Sequence, residues 1–333
     1  MLRNLLMTPK RILVALVCLT IITSCKQENS KNTKVSIENN NASTSYSYTF
    51  DNGTTKAEVT VSKTPERAVI FSQFLTEMLL ALGLEDNIIL GTSEGEIHES
   101  LRAAYDKIPN KMQGHHSMIS KEAFLLLNPD FVSGWSDAIK PQTTGDAQEL
   151  LQNNIYPYVL NSIKSNATLE TVYSDFIELG KIFNVEDQAN TLVKELKDKL
   201  AEAKTSFKTA PENKKVKAVV MGTLDNGAYV ASALVSNLIE EANGVNIYKE
   251  LTNNYEMVSY ESIVEKDPDI IFVYVTADGV SGEDKINFLK SHPALKNVSA
   301  IKNNNIHALL LANVAPGIRN IDVIIKMNKL FYK

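Results

Sequence analysis

The sequence predicts an α/β protein of two lobes joined by a single long, rigid helix. Three observations predict it: a Ser-x-Glu…Pro-Asp unit that occurs twice, strand–helix–strand signals in each half, and one long charged helical stretch between the halves. A chain of 333 residues, 44% apolar and 22% charged, exceeds one ordinary core and suits two.

The first residues stand apart. Arg3, Lys10 and Arg11 precede Ile12 to Thr23, a run without charge that is too short to span a bilayer comfortably, so residues 1–24 read as a secretory signal peptide. The run ends in Ile22-Thr23-Ser24-Cys25, which resembles the bacterial lipobox. That resemblance implies a thiol acylated at Cys25, and hence an extracytoplasmic protein held to the bacterial membrane by its lipid. Residues 25–47 are rich in Asn, Ser, Lys and Thr without periodicity, the composition of a flexible tether.

The N-terminal lobe is expected over residues 48–184. Strand-like alternation flanks Asp51-Asn52-Gly53, a hairpin signal. Ala68 to Phe71, a helix from Thr76 to Leu82 stopped by Gly83, and Ile88 to Gly91 form a βαβ unit and imply a parallel sheet. Ser120-Lys-Glu122 followed by Pro129-Asp130 is matched by Ser259-Tyr-Glu261 followed by Pro268-Asp269. Each copy reads as a helix capped by Ser and stopped before Pro, leading into a buried strand. The copies lie about 140 residues apart, which means duplicated lobes rather than a short-period solenoid.

Leu169, Val172, Phe176, Leu179 and Ile182 mark a one-faced helix from Thr168 to Phe183. A connecting helix is expected within 185–209, where Ala189, Leu192, Val193, Leu196, Leu200 and Ala203 make a narrow apolar stripe from Glu186 to Phe207. A strut across both lobes and a coiled-coil dimer both suit that stripe. The C-terminal lobe, 210–333, starts with the strand Val216–Met221 and continues through a helix near Ser232–Ala242, the second repeat, a strand near Ile306–Leu311 and a terminal helix.

Composition narrows the function classes. The only two Cys are Cys18 and Cys25, so the lobes hold no disulfide, zinc cluster or thiol catalyst. Loss of residues 1–24 removes three cations and no acid and takes the net charge from −5 to −8, which disfavours a nucleic-acid partner. No His-Glu-x-x-His occurs, so a secreted hydrolase is a poor reading and no catalytic residue is assigned.

Pro65-Glu-Arg67, Thr76-Glu77, Ala81-Leu-Gly83, the paired Ser-x-Glu…Pro-Asp units, Glu241-Ala-Asn-Gly244 and His292-Pro-Ala-Leu occur in an order and spacing similar to one known group. From about Ala57 onward the chain resembles the bacterial periplasmic binding proteins for iron chelates, haem and cobalamin. The resemblance implies a class III architecture, two Rossmann-like lobes on a single rigid helix. It implies a substrate-binding lipoprotein of an ABC importer, not an enzyme, which captures a ferric siderophore or related chelate and delivers it to a permease and its ATPase. No cofactor of its own is implied. It places Glu122 and Glu261 exposed on their lobes, each docking onto an Arg pocket of the permease. Offsetting a helix macrodipole is the other reading of both acids.

Ligands of open α/β sheets bind beyond the carboxyl ends of the strands. The loops expected there supply Gln73, His115, His116, Trp135, Tyr229, Tyr255 and Arg319. Trp135, the only Trp, suits either core packing or stacking on a ligand. His115 and His116 are adjacent in sequence and make a poor metal pair without further ligands, so no metal site is assigned. This scarcity of convergent His argues against a receptor for free zinc or manganese, the nearest alternative. After residue 24 the Arg residues are Arg67, Arg102 and Arg319, and Arg319 alone is expected near the ligand. So few favour a chelate of low charge, such as a hydroxamate complex or a corrinoid.

Overall fold

The computed structural model describes residues 45–251 and 253–333. The signal peptide, Cys25 and nearly all of the tether lie outside the described residues. The chain enters through a hairpin, β1 (Tyr46–Asp51) and β2 (Lys56–Val61), which forms a sheet of its own. Asn52 closes the turn, its Oδ1 accepting from the N–H groups of Thr54 and Thr55 at 3.1 and 2.9 Å.

The first lobe follows. Strands β3 (Ala68–Ile70), β4 (Ile88–Ser93), β5 (Asn110–Gln113), β6 (Phe131–Ser133) and β7 (Tyr156–Tyr158) pair in the order β5-β4-β3-β6-β7, all parallel. The chain winds outward from β3 in both directions, so the crevice of the lobe opens between β3 and β6. Helix α1 (Gln73–Ala81) leaves β3; α2 (Lys121–Leu126) precedes β6; α3 (Leu169–Ile182) closes the lobe.

Helix α4 (Glu186–Lys204) has 19 residues, or about 28 Å at 1.5 Å per residue. It stops three residues short of the expected Phe207, which lies in the turn beyond. Its buried residues are Ala189, Val193, Leu196 and Leu200, one narrow stripe.

The second lobe has a separate sheet. Strands β8 (Lys217–Leu224), β9 (Gly227–Ala231), β11 (Tyr255–Val258), β12 (Ile270–Val275) and β13 (Ile306–Leu310) run in the order β11-β9-β8-β12-β13, and the short β10 (Val245–Asn246) pairs with β8. Its helices include α5 (Leu234–Glu241), α6 (Tyr260–Lys266) and α7 (Asn320–Phe331). This sheet is mixed. The segment Asp225 to Tyr229, expected as a loop, turns at Asp225-Asn226 into β9, antiparallel to β8 and β11. Gly227 permits it: a Cβ there would lie 2.3 Å from the Val258 carbonyl oxygen. Alternation along β8 and β12 sends Ala218, Val220, Ile270 and Phe272 to a core shared with the first lobe. Val219, Met221, Ile271 and Val273 face a second core on the other side.

The two repeat units are equivalent down to their hydrogen bonds. Ser120 Oγ accepts from Ala123 N at 3.2 Å and Ser259 Oγ from Ser262 N at 3.3 Å. Asn128 and Asp267 then take left-handed φ of 49° and 45°, which ends each helix before its Pro. Asp130 accepts from Arg67 N and Asp269 from Lys217 N, both at 2.8 Å. These cationic residues in turn donate to the last helical carbonyls, Arg67 to Leu127 O at 2.6 Å and Lys217 to Lys266 O at 3.2 Å, where the helix dipole favours positive charge.

Gly180 of α3 lets α4 approach closely, for a Cβ there would sit 2.6 Å from Ala189 Cβ. Gly180→Ala should gain about 1 kcal/mol of helix propensity yet lose about 1–3 kcal/mol to overpacking. Net destabilisation is expected in urea unfolding. An unchanged or raised midpoint would refute the close contact.

Candidate functional site

The site grows from buried polar side chains at the crevice. Gln73 and Glu77 lie one turn apart on α1, 2% and 3% exposed, so each must find partners inside the protein. Gln73 Nε2 donates to Glu77 Oε1 at 2.9 Å and to the Glu96 carbonyl at 2.8 Å, and its Oε1 accepts from Glu94 N at 2.6 Å. Glu94, just past β4 and also buried, accepts from Trp135 Nε1 at 3.2 Å and faces His115 Nδ1 at 2.5 Å.

Arg319, from the loop before α7, crosses to the first lobe. Its Nε and Nη2 bind the two Glu77 oxygens at 2.7 and 2.6 Å, and Nη2 also reaches Glu96 O at 2.6 Å. Both side chains of this fork are buried. The guanidinium expected to meet a ligand is therefore held by a carboxylate of the protein. Further ties between the lobes run from Leu169 N to Asn237 Oδ1 at 2.8 Å and from Asn254 Nδ2 to the Ile163 carbonyl.

Trp135 follows β6, at the carboxyl end of the crevice. It packs edge-on to Phe74 at 4.7 Å, with His115 and His116 at 5.6 and 5.4 Å. Gly134 brings the chain against Phe71, leaving 2.9 Å to the Phe71 Cβ for any side chain there. Trp135 is half-buried and lines a cavity between the lobes with Ile163, Leu234, Val235, Tyr255 and Pro316. The cavity is about 20 Å³, room for a water molecule. Tyr255 packs edge-on to Tyr274 at 6.0 Å. Burial pushes the phenol pKa of both upward, that of Tyr274 to about 12.

His116 has a left-handed φ of 52°, which folds its ring back to 4.1 Å from that of His115. Its Nδ1 stands 3.2 Å from Asp137 Oδ2. That contact, against some desolvation, holds the imidazole pKa above its ordinary value and the Asp137 carboxyl below its own.

The structure thus joins Gln73, His115 and Trp135 through Glu94, adds Arg319 through Glu77, and sets Trp135 and Tyr255 around one cavity. Tyr229 stands apart, 43% exposed on β9 opposite Gly222 and Met257, outside the cavity lining. Sequence reasoning missed Glu94 as a site residue. Its position just past β4 satisfies the same strand-end rule that selected the other loops. Glu77 entered only as part of a motif, because its partner is 242 residues away.

Glu122 and Glu261 are exposed in the first turns of α2 and α6. Each carboxyl pKa is held below its usual value, first by the residue's own backbone N–H and then by the capping Ser.

Residues 69–309 match the periplasmic binding protein family. The chain belongs to that family. This periplasmic binding protein is accordingly a binding component rather than an enzyme, with a class III fold. It is 23% identical over 253 residues to the uncharacterized ABC transporter substrate-binding lipoprotein YvrC of Bacillus subtilis (strain 168), covering 75% of this chain and 74% of that one. The petrobactin-binding protein YclQ of the same organism is 25% identical over 252 residues, covering 74% and 75%. Among solved structures, a periplasmic binding protein from Veillonella parvula superposes with a TM-score of 0.77 at 26% identity, covering 87% of this chain and 98% of its own. An ABC-type Fe3+-hydroxamate transport protein from Saccharomonospora viridis shares the fold, with a TM-score of 0.73 at 20% identity over 86% and 99% of the two chains.

Proposed function

We propose that this periplasmic binding protein is the extracytoplasmic lipoprotein of an ABC importer, capturing an iron-siderophore or related metal chelate between its lobes. Cys25 carries the lipid in this reading, and among the described residues no helix is long and apolar enough to cross a membrane. Glu122 and Glu261 present one acid per lobe to Arg pockets of the permease.

The observation that carries the ligand class is the cavity itself. Trp135 faces it from one lobe and Tyr255 from the other, among aliphatic neighbours. Among the described residues its lining holds no cation, and Arg319, three residues beyond the lining residue Pro316, is neutralised by Glu77. Such a lining favours a guest with apolar or aromatic faces and low net charge over a polyanion. The names of YclQ and of the Fe(3+)-citrate-binding protein YfmC, 24% identical over 263 residues, support an iron chelate. A chelate far exceeds 20 Å³, so capture requires the lobes to part.

Because Trp135 is the only Trp, its fluorescence reports the cleft without labelling. Titration with a ferric hydroxamate, ferric citrate, haem and cobalamin should give saturable quenching with one of them at micromolar concentration or below. Silence across the panel would overturn the chelate assignment.

A further inference from the structure

We propose that Asp175, wholly buried on α3, is a positioning residue for the cleft: its carboxylate holds the turn Asn161–Ile163 against the second lobe, and protonation releases that turn and loosens the grip on the guest. The inference rests on the chelate-capture reading above. It adds a residue outside the cavity that governs affinity, and the direction in which acid changes it.

The turn is part of the cavity wall. Ser162 and Ile163 line the cavity with Trp135, and the Ile163 carbonyl accepts from Asn254 Nδ2 of the second lobe. A single tight turn has little cohesion of its own, and the preceding Leu160 gives it no side-chain cap. Asp175 supplies that cap from another element. Its Oδ1 accepts from Asn161 N at 2.9 Å, and its Oδ2 from Ser162 N at 2.8 Å and Ser162 Oγ at 2.5 Å. Two successive backbone N–H groups and a hydroxyl thus converge on one carboxylate that is 0% exposed. All three are donors, so only the ionised acid satisfies them together. A neutral acid must donate its own proton, for which only Ser162 Oγ can turn to accept. That breaks one bond and leaves the other two without charge assistance.

The surroundings make protonation accessible. Among the described residues no Lys or Arg pairs with Asp175, and the charge one turn along α3 is a second acid, Glu178. Glu178 accepts from the hydroxyls of Tyr158 at 3.0 Å and Tyr46 at 3.1 Å, and from Asn161 Nδ2 at 3.3 Å. The other titratable groups here are the phenols of Tyr158 on β7 and Tyr46 and Tyr48 on β1, all pushed upward by burial and so neutral. Lys164, just past the turn, donates to Asn161 Oδ1 at 2.9 Å. Burial pushes the Asp175 carboxyl up to about 6; the hydrogen bonds from Ser162 and Asn161 oppose this, and the Glu178 charge adds to the rise. The carboxylate that holds the turn is therefore present above about pH 6 and lost as pH falls through it. The folded chain takes up this proton more readily than an unfolded chain, whose carboxyl titrates lower, so acid does not unfold the protein through Asp175. It frees the turn, which a guest must then re-order on binding.

The test uses the purified full-length chain, with and without a ferric trihydroxamate complex, between pH 5 and pH 8. Binding is read by equilibrium dialysis, because His116 also titrates beside Trp135 and would move its fluorescence. Affinity should fall about tenfold from pH 8 to pH 5, the cost of re-ordering the turn. Without the complex, protection of the Asn161 and Ser162 amides from hydrogen exchange, relative to an unstructured chain at each pH, should drop over the same range. Asp175→Asn should show weak binding and low protection at every pH, since its amide NH2 meets a donor. Glu178→Gln should move both midpoints to lower pH and Ser162→Ala to higher pH, opposite shifts that a merely structural defect would not give. Glu178→Gln keeps every bond to Asp175 and decides the case if Asp175→Asn fails to fold. If the exchange midpoint does not move in Glu178→Gln, or the two amides lose no protection below pH 6, Asp175 does not position the turn, whether or not the complex binds. If the turn titrates while affinity stays constant, Asp175 does not govern the guest and chelate capture stands. If no ferric complex binds at any pH, the chelate reading falls, and the exchange data alone show whether Asp175 anchors the turn.

Discussion

Glu77→Met is expected to destabilise the protein by about 3–5 kcal/mol, because it strands the Arg319 guanidinium in the interior without its counter-charge. Arg319→Met should cost a similar amount for the mirror-image reason. The pair is buried on both sides, 8% and 4% exposed, and bound through two parallel hydrogen bonds. The large single-variant loss does not measure what the pair contributes, since each ion is desolvated before the attraction begins. Glu77→Met combined with Arg319→Met removes both charges together and should cost only about 1–3 kcal/mol. The residue of that loss has a definite source: the His98 N–H, which donates to Glu77 Oε1 at 3.0 Å, would be left without its acceptor. Urea unfolding of the three variants checks this directly. If the double variant loses the sum of the single losses, the two side chains do not act as a pair. The same cycle asks whether the fork holds the lobes together, because a restored double variant should also bind and release a chelate faster.

Local features of this fold were legible in the sequence because their causes are local. Ser120 and Ser259 cap their helices through atoms three residues away, and Pro129 and Pro268 forbid the next helical turn. The stripe on α4 was legible for the same reason, since Ala189, Val193, Leu196 and Leu200 repeat at helical spacing. What stayed hidden depends on partners remote in the chain. Nothing near Arg319 announces that Glu77 will hold it, so the tie from a cation expected beside the ligand to the first lobe stayed hidden. The β8–β9 hairpin was misread because Ala228 to Ala231 is short enough to pass for a loop, and only pairing with β8 and β11 makes it a strand. His115 and His116 illustrate a third limit. Their convergence follows from one backbone angle at His116, which residue types alone do not specify.

Glu122→Arg together with Glu261→Arg should reduce chelate uptake by cells that depend on this protein at least a hundredfold, while the Kd for the chelate stays within twofold of the parent. Both carboxylates project from the first turn of a capped helix, and neither touches the cleft. In the proposed docking, replacing them would remove two charge-assisted contacts at the permease and put repulsion in their place, which slows encounter as well as weakening the docked state. The two ends are not chemically alike, and the single variants should differ. Next to Glu122 on its helix face lies Leu126, 85% exposed, whereas the matching position beside Glu261 is the exposed acid Glu265. The α6 end thus offers two acids and the α2 end one acid with an apolar neighbour. Charge reversal at Glu122 alone should therefore cost more uptake than reversal at Glu261, where Glu265 keeps part of the attraction. Leu126→Ala should add to the Glu122 defect and not to the Glu261 one. Uptake measured with labelled chelate, at equal amounts of protein on the cell surface, separates the outcomes. Full uptake by the double-reversal variant would show that this protein does not engage a permease through these helices.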